Sequence, residues 1–267
     1  MTVPPGGAVY STGDPPCTGI GLKWSDEELD AALDGPVAAV LFDDEGKAHI
    51  EEILRGVAET AFEQDGLRRV LADPGRIEDW RVGEAIAETW LTDHRDCRFP
   101  WPDGRDERKS GSSLPGADLV GLHADAQGDC LAFGEVKTSS DAKHPPGAMY
   151  GRTGLKQQLE DLRDSPSIRD DLFKYLGHRA KGASWMERFR RAGKRYLANK
   201  SDVRLFGFLV RDISPHENDV RVRVERLSQG CPDGTRIELL ALYLPIGRLG
   251  GIGAVAVAVA ARAGNPS

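Results

Sequence analysis

Apolar residues recur at helical spacing through the segment from Lys47 to Gln64, at Ile50, Ile53, Leu54, Val57, Ala58, Ala61 and Phe62. That spacing predicts one helix there, with its acidic side facing water or a basic partner. A second helical pattern runs from Asp79 to Leu91 and places Glu84 and Glu88 four residues apart on one face. Further helices are expected over 153–164 and over 167–198, the latter broken near Gly177 and Gly182. Runs rich in β-branched and aromatic residues predict strands over 117–124, 130–138, 203–211, 220–227 and 236–244. The Pro- and Gly-rich residues 1–22 predict a loop or flexible arm, and 93–115 and 139–151 read as loops. Arg105, Arg108 and Lys109 make the middle of the first of these two loops positive. The apolar tract from Ile252 to Ala261 is too short to span a bilayer and predicts a packing strand or a docking tail.

The most informative element is the predicted pair of strands around Asp125-Ala126-Gln127-Gly128. This segment suits a hairpin turn. A turn centred on Ala126-Gln127 puts Asp118 opposite Glu135 in an antiparallel ladder. Side chains two apart on a strand share a face, so Glu135 and Lys137 point the same way. Two acids directly across a ladder repel each other, and a divalent cation reverses that sign. Mg2+ and Mn2+ favour carboxylate and carbonyl oxygens, and a neighbouring Lys can position or activate water. A surface hairpin with an edge Asp and a solubilising Glu–Lys pair would carry the same residues.

The chain has 267 residues and a formal net charge of −7. That balance argues against a generic nucleic-acid coat protein but leaves room for a local basic surface. The four cysteines, Cys17, Cys97, Cys130 and Cys231, form no CxxC pair. A zinc ribbon or disulfide scaffold is not expected, and a reducing cytoplasm is. The N-terminus lacks the basic start and apolar core of a secretion signal. No Walker-type loop and no Gly-x-Ser-x-Gly elbow occurs, so any ATP-driven motor would lie on another chain.

The matching segments are Gly116-Ala117-Asp118, Phe133-Gly134-Glu135-Val136-Lys137 and Lys156-Gln157-Gln158-Leu159. On these residues, over roughly 80–212, the chain resembles the PD-(D/E)xK nuclease superfamily. The resemblance implies an α/β fold with a restriction-endonuclease-like core, a mixed central sheet flanked by helices. The acidic residues between Trp24 and Gly66 predict an acidic, partly helical region over 1–78, and the resemblance implies a nuclease-like domain with C-terminal strands over 79–267. Asp118 and Glu135 would hold Mg2+ or Mn2+, with the Val136 carbonyl as a further oxygen. Lys137 would orient or deprotonate the attacking water. Glu84, or Glu88 one turn on, would match the helical acid beside the metal, and Gln158 the glutamine of the RecB-like branch. Ala117 departs from the proline of the superfamily's name, and Leu162 from the aromatic that the RecB-like branch carries. The order of segments also resembles the nuclease component of bacterial antiphage systems such as Hachiman, which implies a defence role and a helicase or ATPase partner.

Arg188, Arg190, Arg191, Lys194, Arg195 and Lys200 make a basic cluster with Phe189 and Tyr196 between them. Arg188, Arg191, Lys194 and Arg195 are candidates for gripping a nucleic-acid backbone, and a solvated helix face would read the same. His123, five residues after Asp118, is expected on the opposite face of its strand, and His144 follows Lys137 in the next loop. The expected activity is metal-dependent hydrolysis of DNA, with no membrane partner. Two alternatives are an RNA or single-strand-end nuclease and a non-catalytic subunit that binds nucleic acid or a partner.

Overall fold

A computed structural model describes residues 2–101 and 116–263. Arg105, Arg108 and Lys109 lie outside the described residues. The fold is α/β, with one seven-stranded mixed sheet in the order β1-β2-β7-β6-β5-β4-β3 and helices on both faces. The strands are β1 (Gly7–Thr12), β2 (Cys17–Lys23), β3 (Cys97–Trp101), β4 (Leu119–Asp125), β5 (Gly128–Ser139), β6 (Val203–Arg211) and β7 (Arg236–Tyr243). The helices are α1 (Asp26–Leu33), α2 (Pro36–Leu41), α3 (Asp44–Ile53), α4 (Ala61–Val70), α5 (Asp79–Arg95), α6 (Leu155–Asp164), α7 (Pro166–Ala180), α8 (Met186–Ala198), α9 (Arg221–Ser228) and α10 (Ile252–Ala263). Among the described residues, no helix is long and apolar enough to cross a membrane.

β2, β7, β6 and β5 run parallel to one another, while β4 and β1 are antiparallel to their neighbours. One face of the sheet buries Leu119, Val136, Phe208 and Val210 against Val82, Ile86 and Trp90 of α5. The other face buries Val120, Leu131, Phe133, Leu205 and Leu209 against Leu155, Leu159 and Leu162 of α6. These long apolar runs are what a sheet covered on both sides requires.

Five expectations are corrected. Residues 1–22 are not simply a loop: β1 and β2 form a hairpin that extends the sheet beside β7. The helix expected over 47–64 is two helices, because Thr60 and Glu63 form a reciprocal capping box that starts α4. The strand expected over 220–227 is α9, in which Val224 and Leu227, together with Val220 at its N-cap, are buried at helical spacing. The C-terminal apolar tract is α10, whose entry is fixed by Gly251 and Gly253 N–H groups donating to the Asp79 carboxylate, both at 2.9 Å. Its alanines favour helix, and Ile252 and Ala256 are buried in the α5 side of the core. β3 falls within the segment expected to be a loop, pairing with β4 through Cys97↔His123 and Arg98↔Leu122.

Candidate active site

The β4–β5 hairpin has the expected register. Leu119 pairs with Gly134 and Asp125 with Gly128, which aligns Asp118 with Glu135 just past the start of β4. Glu135 and Lys137 continue the face of Leu131 and Phe133, toward α6. Beyond Glu135, β5 keeps β6 as a partner through Ser139 but has no further β4 partner. The sheet therefore opens into a notch on the β4 side. Asp118 fills the vacated hydrogen-bonding position: Val136 N–H donates to its Oδ2 at 2.7 Å. The N–H and C=O of one strand residue point to the same side, so the Val136 carbonyl also projects into the notch.

Lys137 Nζ lies 3.7 Å from Asp118 Oδ2 and 3.6 Å from Glu135 Oε2. It bridges the two acids that the ladder sets against each other. Glu135 is only 1% exposed. Burial, and then the neighbouring Asp118 charge, push its carboxyl well above the usual carboxylate range despite Lys137. Its Oε2 is buried with no hydrogen-bond partner among the described residues.

Glu84 reaches the same notch from α5. Gly83 packs against Thr138 and Val210, and a Cβ there would collide with the Thr138 methyl. This close approach sets the next residue, Glu84, beside the end of β5. Burial and then Asp118 push the Glu84 carboxyl up to about 7, while Arg81 and Lys137 act the other way. Arg81 donates to Glu84 Oε2 at 3.0 Å, a contact that sequence spacing alone does not assign. Glu88 instead lines a neighbouring cleft of about 680 Å3 with Arg81, Arg98 and Arg179.

Gln158 is brought in by α6. Gly207 of β6 is the register partner of Glu135, and a Cβ there would sit 2.5 Å from Leu239 and 2.7 Å from Leu159. The bare backbone lets α6 settle directly over this part of the sheet. Gln158 Oε1 is buried and, like Glu135 Oε2, has no hydrogen-bond partner among the described residues. The site thus concentrates Asp118, Glu135 and Glu84 around Lys137 and Arg81, with two buried oxygens, Glu135 Oε2 and Gln158 Oε1, that accept no hydrogen bond among the described residues. Buried oxygens without hydrogen bonds, on carboxylate, amide and carbonyl-bearing elements, are a donor set for a hard divalent cation. Among the described residues, no group of three or more acidic, His or Cys side chains stands as a closed cage.

The basic cluster on α8 has a different setting. Arg188 Nε and Arg191 Nε donate to the buried Asp129 at 2.8 and 2.7 Å. Arg195 contacts Asp125 at 2.7 Å and also pairs with Asp202. Three of the four candidate phosphate ligands therefore strap α8 to the β4–β5 hairpin, and Lys194 stands exposed. His123 lies on the face opposite Asp118, against Phe206 and the Arg95 carbonyl.

His144 makes a contact that the sequence does not reveal. Its Nδ1 lies 2.9 Å from Asp219, which is fully buried, accepts from Tyr243 OH at 2.7 Å and pairs with Arg211 at 3.1 Å. This cluster closes the carboxyl ends of β6 and β7 next to the loop that leaves β5.

No family model matches the chain, and no curated protein matches it.

Proposed function

We propose that the chain is a metal-dependent phosphodiesterase acting on DNA, built on a restriction-endonuclease-like core. The observation that carries this reading is the notch beside β5, where Asp118, the nearly inaccessible Glu135 and Lys137 meet within ion-pair distance. Repulsive buried acids lower stability, and a site that tolerates them is a candidate for chemistry.

Asp118, Glu135 and the Val136 carbonyl would hold Mg2+ or Mn2+, with Glu84 as a further carboxylate. When bound, the ion polarises the scissile phosphate and acidifies a coordinated water. Lys137 orients that water and balances charge that builds on the phosphate oxygens. Arg81 keeps Glu84 ionisable near neutral pH by pairing with it. Gln158 offers an amide beside the same strand. The α8 arginines hold the hairpin that carries Asp118 and Glu135 in register, and Lys194 is the member of that strip placed to meet a nucleic-acid backbone. Free, dispersed cysteines support a reducing cytoplasm. A defence role with a helicase or ATPase partner rests on the sequence resemblance.

The test is a substrate panel of double-stranded DNA, single-stranded DNA and RNA, each incubated with Mg2+, Mn2+ or EDTA. Metal-dependent cleavage of DNA supports the reading, and cleavage of RNA alone replaces its substrate. No cleavage of any of them by the folded protein favours a non-catalytic binding subunit.

A further inference from the structure

A groove between α6 and α9 takes no part in the site above. It encloses about 330 Å3 and is lined by Tyr150, Lys156, Gln157, Arg223 and Arg226, with no carboxylate among its lining residues. Arg223 is only 6% exposed, and its Nε and Nη2 have no hydrogen-bond partner among the described residues. A buried guanidinium with unmatched donors is costly unless an anion meets it. The face of Arg223 is already used: its guanidinium carbon lies 4.2 Å from the centroid of the Tyr150 ring. Stacking fixes the plane of the fork and leaves its N–H edge as the binding element.

The second cationic contribution comes from the start of α6. Its N-cap is Gly154, which has no side chain to satisfy the first-turn amides. The N–H groups of Leu155, Lys156 and Gln157 precede the first possible intrahelical acceptors, and the helix dipole adds partial positive charge there. Lys156 is held by Glu160 at 2.6 Å, while Arg226 is exposed at the rim. α6 follows β5, and α9 follows β6, so both helices begin at the carboxyl edge of the parallel strands, where ligands of open α/β sheets bind. Gln157 lines the groove and Gln158 belongs to the candidate active site, so the two regions flank the first turn of α6.

We propose that this groove binds a phosphate group, and that in the working protein the phosphate belongs to the strand held at Glu135 and Lys137. The phosphate recognition stands on the groove alone, whereas its assignment to a nucleic-acid strand rests on the nuclease reading. The seat accepts either a 5′-terminal monoester or an internal diester of that strand.

The experiment uses Lys137→Ala as the catalytically silent parent, so that binding is read without cleavage. Calorimetry and thermal denaturation are run with inorganic phosphate against chloride at equal ionic strength. Phosphate is expected to bind and raise the midpoint. A Lys156→Ala/Arg226→Ala double variant, which leaves the buried Arg223 in place, and Arg223→Lys are each expected to weaken phosphate by on the order of tenfold or more. Absence of phosphate binding by the folded parent, or equal binding by parent and double variant, overturns the site. Oligonucleotides with a 5′-phosphate or a 5′-hydroxyl then separate the sources. Tighter binding of the phosphorylated strand, lost in the double variant, seats a terminal phosphate. Equal loss for both strands seats an internal one. Unchanged oligonucleotide affinity in a variant that has lost inorganic phosphate overturns the assignment to a strand. Because no arm reads cleavage, failure of the nuclease reading shows separately in the substrate panel.

Discussion

Gly207 stands beside Glu135 across the β5–β6 ladder, and the missing side chain is what lets α6 lie on the sheet at that point. The candidate active site and the helix that carries Gln158 are thus coupled through one Cβ position. Gly207→Ala forces Leu159 or Leu239 to move, since the new methyl would lie 2.7 and 2.5 Å from them. The expected cost is about 1–3 kcal/mol of stability, read by urea denaturation, with a further loss of activity because Gln158 is displaced. A variant as stable and active as wild type would remove the coupling.

Burial raises Glu84 from its ordinary value to about 7. The sign of the pH effect follows directly. Between the unfolded and folded values the native state holds the extra proton, so metal-free stability falls as pH rises from about 4.5 through 7. The Glu84 share of that loss is on the order of 3 kcal/mol. Denaturation in EDTA at pH 5 and pH 8.5 should show the decline, and Glu84→Gln should shrink it. Metal affinity runs the opposite way and rises through the same window, because ligand carboxylates must be ionised.

Asp219 and Arg211 are both fully buried and face each other at 3.1 Å. Removing one partner strands a buried charge. Asp219→Ala is expected to cost about 3–5 kcal/mol, and Tyr243 and His144 lose an acceptor with it. Chemical denaturation checks this; a cost below about 1 kcal/mol would mean that the cluster does not hold the strand ends.

Arg188 and Arg191 share Asp129, which is 6% exposed. If they are hairpin straps, Arg188→Ala lowers stability by roughly 1–3 kcal/mol, since an acceptor stays buried. The dependence of DNA binding on salt should be unchanged, because that slope counts phosphate contacts. A slope reduced by about one at unaltered stability would instead assign Arg188 to the nucleic acid.

Much of this arrangement is legible in the chain because local chemistry and long-range order agree there. The Asp125–Gly128 turn fixes the register of β4 and β5, and register alone aligns Asp118 with Glu135. β6 is equally legible from Leu205, Phe206, Phe208, Leu209 and Val210, which make a continuous apolar run. The misread segments are those whose residues fit two periods. Val220, Val222 and Val224 alternate as a strand would, yet Val220, Val224 and Leu227 also share one helix face, and packing against β2 and β7 decides. The glycines and prolines around β1 and β2 hide them in the sequence, and the strand role of β2, on which β1 pairs, depends on β7, more than two hundred residues away. The stacking of Arg223 on Tyr150 and the Arg188–Asp129 strap join distant parts of the chain, and no spacing rule reaches them.

The most direct measurement is relaxation of supercoiled plasmid by wild type, Lys137→Ala and Asp118→Asn, each shown to be folded, in Mg2+, Mn2+ and EDTA. The account predicts metal-dependent nicking by wild type, abolished by EDTA and reduced at least about a hundredfold in both variants. Undiminished cleavage by folded Lys137→Ala or Asp118→Asn would contradict it.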